Sequence, residues 1–191
     1  MKRPPAQVAE ELLVLRAQAG DEDALRGLVR LWTPRLTRHA SRWLGDVNAA
    51  ADAVQEAWVS IARSLRRLDD PARFTPWAYR LVQHKCVDLI RRDSRHAAAV
   101  RRSAVAAGPG GAGDPADARS DREDGVEAVR AALRGLDPER RALLALHYTE
   151  GLTVVELAEV FSVPTGTVKS RLFHARNELK QILERDGLHG D

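Results

Sequence analysis

Residues 153–176 read TVVELAEVFSVPTGTVKSRLFHAR. They describe two short helices joined by a tight turn, the second opening on small polar residues and closing on basic ones. This is the pattern of a helix-turn-helix, whose second helix lies in a DNA major groove. Thr153 suits an N-cap, and Glu156 three residues later completes a capping box. Val155, Leu157, Ala158 and Phe161 are expected on the inner side of the first helix. The turn is Phe161-Ser162-Val163-Pro164, and Pro164 suits the start of the second helix, where its missing N–H costs little.

In the second helix Val168, Leu172, Ala175 and Leu179 recur at helical spacing and predict one buried stripe. The opposite side holds Gly166, Ser170, Phe173 and Asn177, flanked by Thr167, Lys169, His174 and Lys180. Arg171 and Arg176 stand at the edges, within reach of phosphates. A plain helical hairpin with a solvated basic face is the alternative for this stretch, and the agreement of caps, turn and polar start weighs against it.

The chain of 191 residues is 44% hydrophobic and 30% charged, the balance of a globular protein with room for one large or two small domains. No apolar run reaches the length of a membrane span, and the start, Met1-Lys2-Arg3-Pro4-Pro5, lacks the apolar segment of a signal peptide. A single cysteine, Cys86, excludes an internal disulfide framework and a multi-cysteine zinc site, so an intracellular, cytoplasmic protein is expected. The net charge of +3 is uneven: residues 1–96 hold 17 Lys and Arg against 12 Asp and Glu, whereas residues 125–191 hold 9 against 10. A basic recognition helix with acidic neighbours therefore leaves no trace in the overall charge.

Nothing alternates like a strand, so the fold class expected is all-α, two small helical domains joined by a flexible linker. The first block covers residues 1–96 and the second 125–191. Residues 97–124 between them are rich in Gly, Pro, Ala and Asp, with almost no large apolar side chain to offset ordering. In the first block a short helix is expected over residues 6–19. Asp21 caps a long helix to Leu44 that Pro34 should kink or split. Asp46 caps a third with Val54, Trp58, Ile61 and Leu65 inward, and Thr75 caps a fourth ending near Arg92.

Two faces of these helices call for a partner. Opposite the core side of the third helix stand Asp52, Glu56, Val59 and Arg63, either a solvated face or a docking surface. On the fourth, Ala78, Val82, Cys86 and Leu89 form the apolar side. Trp77, Leu81, His84, Asp88 and Arg91 form a second stripe, with Arg80 and Arg95 near it. Basic and aromatic residues interleaved in this way suit stacking on unpaired bases, although an isolated Trp is more often a core residue.

The stretches Asp52-Ala-Val-Gln55-Glu56-Ala-Trp58, Phe74-Thr-Pro-Trp77 and Asp88-Leu-Ile-Arg91-Arg92 resemble region 2 of the extracytoplasmic-function sigma factors of bacterial RNA polymerase. Leu136-Asp137-Pro138-Glu139-Arg140, then Gly166-Thr167-Val168-Lys169-Ser170-Arg171-Leu172 and Ala175-Arg176, resemble region 4 of the same family. The resemblance covers both helical blocks. It implies a transcription initiation subunit whose partners are core RNA polymerase (clamp helices and flap), promoter DNA and an anti-sigma factor. Region 2 would read and open the −10 element and region 4 would read the −35 element.

Position by position, the resemblance places Asp52, Gln55, Glu56 and Val59 on the polymerase-docking helix. Residues 68–74 fall where the family captures an unstacked −10 base, and Arg73, Trp77, Arg80, His84, Asp88 and Arg91 fall on the −10 face. Thr165, Thr167, Lys169, Ser170, Arg171, Phe173, His174 and Arg176 fall on the −35 helix. The family's Asn is His84 here, and an imidazole offers a different donor set from an amide. Its turn Gly is Ser162. Phe173-His174 replaces the common His-Arg, and the ring at Phe173 either meets a thymine methyl or packs on a neighbouring helix.

The 28 residues of the expected linker span about 30 Å as a random coil. Elements centred about 24 base pairs apart lie about 80 Å apart on the duplex. The free chain is thus expected to bind a whole promoter poorly and to work as the single sigma subunit of a holoenzyme that holds the blocks apart. The alternative is a free-standing helix-turn-helix repressor or activator that dimerises through its first block. An enzyme is less favoured still: the Asp, Glu and His residues suggest no metal or acid–base site, and no cofactor or catalytic residue is expected.

Overall fold

The computed structural model describes residues 4–103 and 123–185, with side chains for 4–95 and 127–185. The described residues hold eight α-helices and no strand, an all-α fold as expected. In the first block these are α1 (Pro5–Gln18), α2 (Glu22–Leu44), α3 (Val47–Ser64) and α4 (Phe74–Ser103). In the second they are α5 (Glu123–Arg134), α6 (Pro138–Tyr148), α7 (Val154–Phe161) and α8 (Thr165–Arg185).

Local chemistry sets most boundaries. Asp21, Asp46 and Asp137 each accept a hydrogen bond from a backbone N–H three residues on, satisfying a donor that the first turn leaves free. Gly45 ends α2 in the left-handed conformation (φ 66°). Pro34 does not split α2, which runs unbroken through it.

Two boundaries depart from the sequence reading. Asp70, not Thr75, caps the entry to α4: it accepts from the Ala72 amide and starts a 3-10 turn, Pro71–Arg73, that feeds into the helix at Phe74. Thr75 already lies inside α4, and its hydroxyl donates to Glu10 of α1 at 3.2 Å. The helix then continues past Arg92 to Ser103. Ala and Arg, which dominate residues 97–103, are strong helix formers and extend a helix that is already nucleated. Of the expected linker 97–124, residues 104–122 lie outside the described residues.

The first block closes on Leu28, Trp32, Leu36, Val54, Ile61, Phe74, Tyr79 and Val82, all buried. Trp32 meets Phe74 and Tyr79 edge-on at 5.3 and 5.6 Å, an arrangement that pairs ring edges with ring faces. The second block closes on Leu136, Leu143, Leu146, Leu157, Val160, Val168, Leu172 and Ala175. The blocks also pack on each other, α2 against α6 and α4 against α7, and their buried residues form one continuous cluster. No helix among the described residues is long and apolar enough to cross a membrane.

Candidate nucleic-acid interface

The helix-turn-helix forms at the expected residues. Thr153 and Glu156 make both halves of the capping box: the Glu156 amide donates to the Thr153 hydroxyl at 3.3 Å, and the Thr153 amide donates to the Glu156 carboxylate at 2.7 Å. The turn residue Ser162 is left-handed (φ 53°, ψ 44°), the conformation for which Gly is the usual choice. Of the expected inner side of α7, Leu157 and Phe161 are buried and Ala158 is half-buried, but Val155 is exposed. Val160 takes its place in the core, because α7 is packed between α4 of the first block and α8 and α6 of the second, with Leu157, Val160 and Phe161 covered.

On α8 the buried stripe is as expected: Val168, Leu172 and Ala175 are buried and Leu179 is half-buried. Thr165, Lys169, Ser170, Phe173, His174 and Arg176 are exposed, and Thr167 is half-buried at the edge. Phe173 is 53% exposed and touches His174 edge-on at 5.6 Å, so its ring points outward rather than into a neighbouring helix. Arg171 is half-buried and ion-paired with Glu139 at the start of α6. That pair ties the recognition helix to its scaffold and partly neutralises a cation expected at the DNA backbone. Arg176 approaches the Tyr148 hydroxyl at 3.4 Å.

In the first block the Pro71–Arg73 turn presents Arg73, and α4 presents Arg80, His84, Asp88 and Arg91, at the surface. Trp77 is half-buried, its ring tilted against Phe74 at 5.9 Å. Ser64, Arg67, Leu68, Asp69, Asp70, Arg73, Trp77 and Arg80 line a cleft of about 270 Å³, which Glu159 of α7 closes from the second block. The expected base-capturing loop 68–74 thus forms one wall of a real cleft. Burial, with Arg80 beside it, lowers the His84 pKa, so its imidazole is neutral around pH 7.

On α3 Asp52, Gln55, Glu56 and Val59 form one exposed face, away from Ala53, Val54, Ala57 and Ile61 in the core. Glu56 reaches Lys85 of α4 at 3.4 Å. Among the described residues no group of three or more His, Cys, Asp or Glu is placed to hold a metal ion.

Sequence reasoning passed over Glu150 and Glu159. Glu150 follows α6 and is turned inward ahead of Gly151 (φ 74°). Its side chain is 5% exposed and accepts from Arg35 at 3.0 Å, with Arg38 at 3.7 Å. Acidic residues inside a DNA-binding unit were the available signal, but their partners are 86 and 115 residues distant.

Family models for Sigma-70 region 2 and Sigma-70 region 4 match residues 28–96 and 126–179, together more than half of the chain. The chain is 26% identical to ECF RNA polymerase sigma factor SigW of Bacillus subtilis, over 89% of this chain and 94% of that protein. It is 31% identical to ECF RNA polymerase sigma factor SigE of Mycolicibacterium smegmatis, over 87% of this chain and 65% of that protein. The fold is similar to that of the sigma factor RpoE solved with the anti-sigma factor NepR from Bartonella quintana, at a TM-score of 0.66 and 21% identity over 83% of this chain and 96% of that one. With the two family regions in order on one chain, each folded as a helical unit, the chain belongs to the extracytoplasmic-function group of sigma factors, which direct RNA polymerase to specific promoters to initiate transcription.

Proposed function

We propose a division of labour within this sigma factor. Residues 1–96 dock on core polymerase and read and open the −10 element; residues 125–191 read the −35 element. The carrying observation is α8, whose apolar side is consumed by the core while Thr165, Lys169, Ser170, Phe173, His174 and Arg176 face outward on a capped helix-turn-helix. Arg171 and Thr167 complete this face at its edge. Lys169 and Arg176 supply phosphate contacts, and Ser170, Phe173 and His174 supply base contacts.

Arg73, Trp77, Arg80, His84, Asp88 and Arg91 form the −10 face. Trp77 offers a ring for an unpaired base, and the arginines beside it offer charge for the backbone. His84, neutral and exposed, both donates and accepts, so its preferred base differs from that of an amide. Asp52, Gln55, Glu56 and Val59 dock on the clamp helices, an acidic patch with one apolar residue, and region 4 docks on the flap. The polymerase supplies the chemistry, in the cytoplasm, and this chain acts as one copy per holoenzyme with no cofactor of its own. An anti-sigma factor is a further partner, supported by the relative solved with one.

Run-off transcription from a genomic promoter library with core polymerase, with and without this chain, tests the reading. Promoters that depend on the chain are expected. The Asp52→Lys/Glu56→Lys variant should lose assembly with core polymerase on native gels while its helical content is unchanged. Binding of the free chain to palindromic sites without polymerase would favour a repressor instead.

A further inference from the structure

A groove of about 950 Å³ is lined by α5, α6 and α8 of the second block and by the end of α2 in the first. Its floor is apolar: Leu144 is buried, and Leu133, Leu179 and Leu183 are half-buried beside it. Val47, Val129 and Tyr148, all exposed, also line it. Apolar side chains gathered in one place at a surface mark a binding site, where the same residues scattered singly would not. The volume falls within the range of small-molecule sites. A helix about 11 Å across fills about 500 Å³ per turn, so the groove seats at most about two turns of a partner helix. So short a helix is not stable by itself.

Every charged side chain in the lining is a cation: Arg42 from α2, Arg130 and Arg134 from α5, Arg141 from α6, and Arg176 and Lys180 from α8. Most of them already have partners. Arg130 and Arg134 pair with Glu127, and Lys180 pairs with Glu184. Arg141 donates to the backbone carbonyls of Arg134 and Leu136. Arg42 and Arg176 make no ion pair among the described residues. Arg176 approaches only the neutral Tyr148 hydroxyl, at 3.4 Å. The Arg42 guanidinium has a covered Nη1 with no hydrogen-bond partner. Burial lowers the Arg42 pKa, and the Glu150 carboxylate, itself held by Arg35 and Arg38, offsets this only in part. A covered cation without a counter-ion is costly, and an anion at the guanidinium reduces that cost.

We propose that this groove binds a long-chain fatty acid, its carboxylate taken by Arg42 and Arg176 beside the Tyr148 hydroxyl and its chain laid along Leu133, Leu144 and Leu179. An apolar chain with one anionic end matches both halves of the lining. A nucleotide, polar throughout, leaves the leucines uncovered, and an uncharged chain leaves the two guanidinium groups without a counter-ion. Arg176 also belongs to the −35 face, so the bound acid and promoter duplex compete for one side chain. That competition rests on the −35 reading of α8; the binding site itself does not.

The test is isothermal titration calorimetry of the full chain with decanoate, dodecanoate and tetradecanoate, each below its micelle concentration. A single saturable site per chain is expected, with affinity rising about fourfold per added methylene. Arg42→Gln and Arg176→Gln should each weaken dodecanoate binding about tenfold. Val129→Glu, at an exposed position outside the core, should weaken it as well, and circular dichroism should show all three variants folded. Dodecyltrimethylammonium, with the same chain and the opposite charge, should not bind. Equal binding of that cation, or uptake that never saturates, means adsorption to an apolar surface and overturns the proposal. Absence of acid binding overturns it too, and capture of a designed acidic amphipathic peptide instead would give the groove to a partner's helix. Saturating dodecanoate should also weaken binding of a duplex from a promoter that depends on the chain, read by fluorescence anisotropy. If the acid leaves duplex binding unchanged while Arg176→Gln reduces its salt slope, the carboxylate does not take Arg176 and the proposed headgroup site is overturned. If neither the acid nor Arg176→Gln affects the duplex, the −35 role of Arg176 is overturned, and the calorimetry alone decides the fatty-acid site.

Discussion

Replacing Leu172 and Phe173 with alanine, one at a time, tests which side of α8 is buried and which meets DNA. The two residues are adjacent, so a rotation of the helix by about 100° would exchange their roles. Leu172 is 5% exposed within the core of the second block. A buried Leu→Ala change costs about 2–5 kcal/mol, from lost transfer energy and the cavity left behind. At about 2–4 °C per kcal/mol for a chain of this size, the melting temperature should fall by about 4–20 °C. Phe173 is 53% exposed, and its one ring contact is with His174 on the same helix. Alanine is also the better helix former, by a few tenths of a kcal/mol. Phe173→Ala should therefore change stability by less than about 1 kcal/mol, a shift under about 4 °C. Its effect should appear instead in −35 preference, as a change of about 1–3 kcal/mol at one base position, roughly 5- to 150-fold. Differential scanning calorimetry reads the first quantity and promoter-library transcription the second. If Phe173→Ala melts the chain as Leu172→Ala does, the ring is a core element and the outward face is misassigned. If it changes neither quantity, Phe173 is exposed without reading DNA.

Further outcomes follow from single positions. Ser162→Gly removes a left-handed strain of about 1–2 kcal/mol at the cost of about 0.5–1 kcal/mol of chain freedom, so a small rise in melting temperature is expected, and a fall would refute the strain. His39 is fully buried against Tyr79 at 5.2 Å, neither ring nitrogen has a hydrogen-bond partner, and burial lowers its pKa to about 3. The unfolded chain takes up this proton near pH 6.5 and the folded chain only near 3. Stability from the neutral ring is thus complete above pH 6.5 and falls through that window, by up to about 1.4 kcal/mol per unit. Urea titrations of His39→Phe should show a shallower loss from pH 7 to 4.5, and parallel curves would refute this. Lys169→Ala should reduce the slope of log K against log salt by about one in −35 duplex binding. Arg171→Ala should reduce it by less than half as much, because Glu139 already neutralises that cation, and equal slopes would show that the pair opens on DNA.

The candidate site was legible where its logic is local. Capping of α7 by Thr153 and Glu156 needs only residues three apart, and the Val168, Leu172, Ala175 stripe needs only the helical repeat. Both were readable, as was the outward placement of Asp52, Glu56, Val59 and Arg63. The exchange of Val155 for Val160 in the core of α7 was not readable. Both are apolar, and which one is covered depends on the angle at which neighbouring helices cross. The start of α4 shows a second kind of failure, in which the residue read as its cap, Thr75, lies past the true start of the turn that leads into the helix. Asp70 prevails because Thr75 is already inside the helix, bonded to Glu10.

The sequence by itself determined an all-α chain with two helical blocks, a helix-turn-helix in the second, and the outward face of α8. Each follows from composition or from spacings of three and four residues, which the backbone geometry converts directly into faces. Only the tertiary structure decided that Glu139 holds Arg171, that Glu150 lies under Arg35 and Arg38, and that Glu159 sits in the cleft beside Trp77. A charged residue has no periodic signature of its partner. Its pairing is set by which surfaces the packed cores bring together, and here those surfaces belong to segments 32, 115 and 86 residues apart.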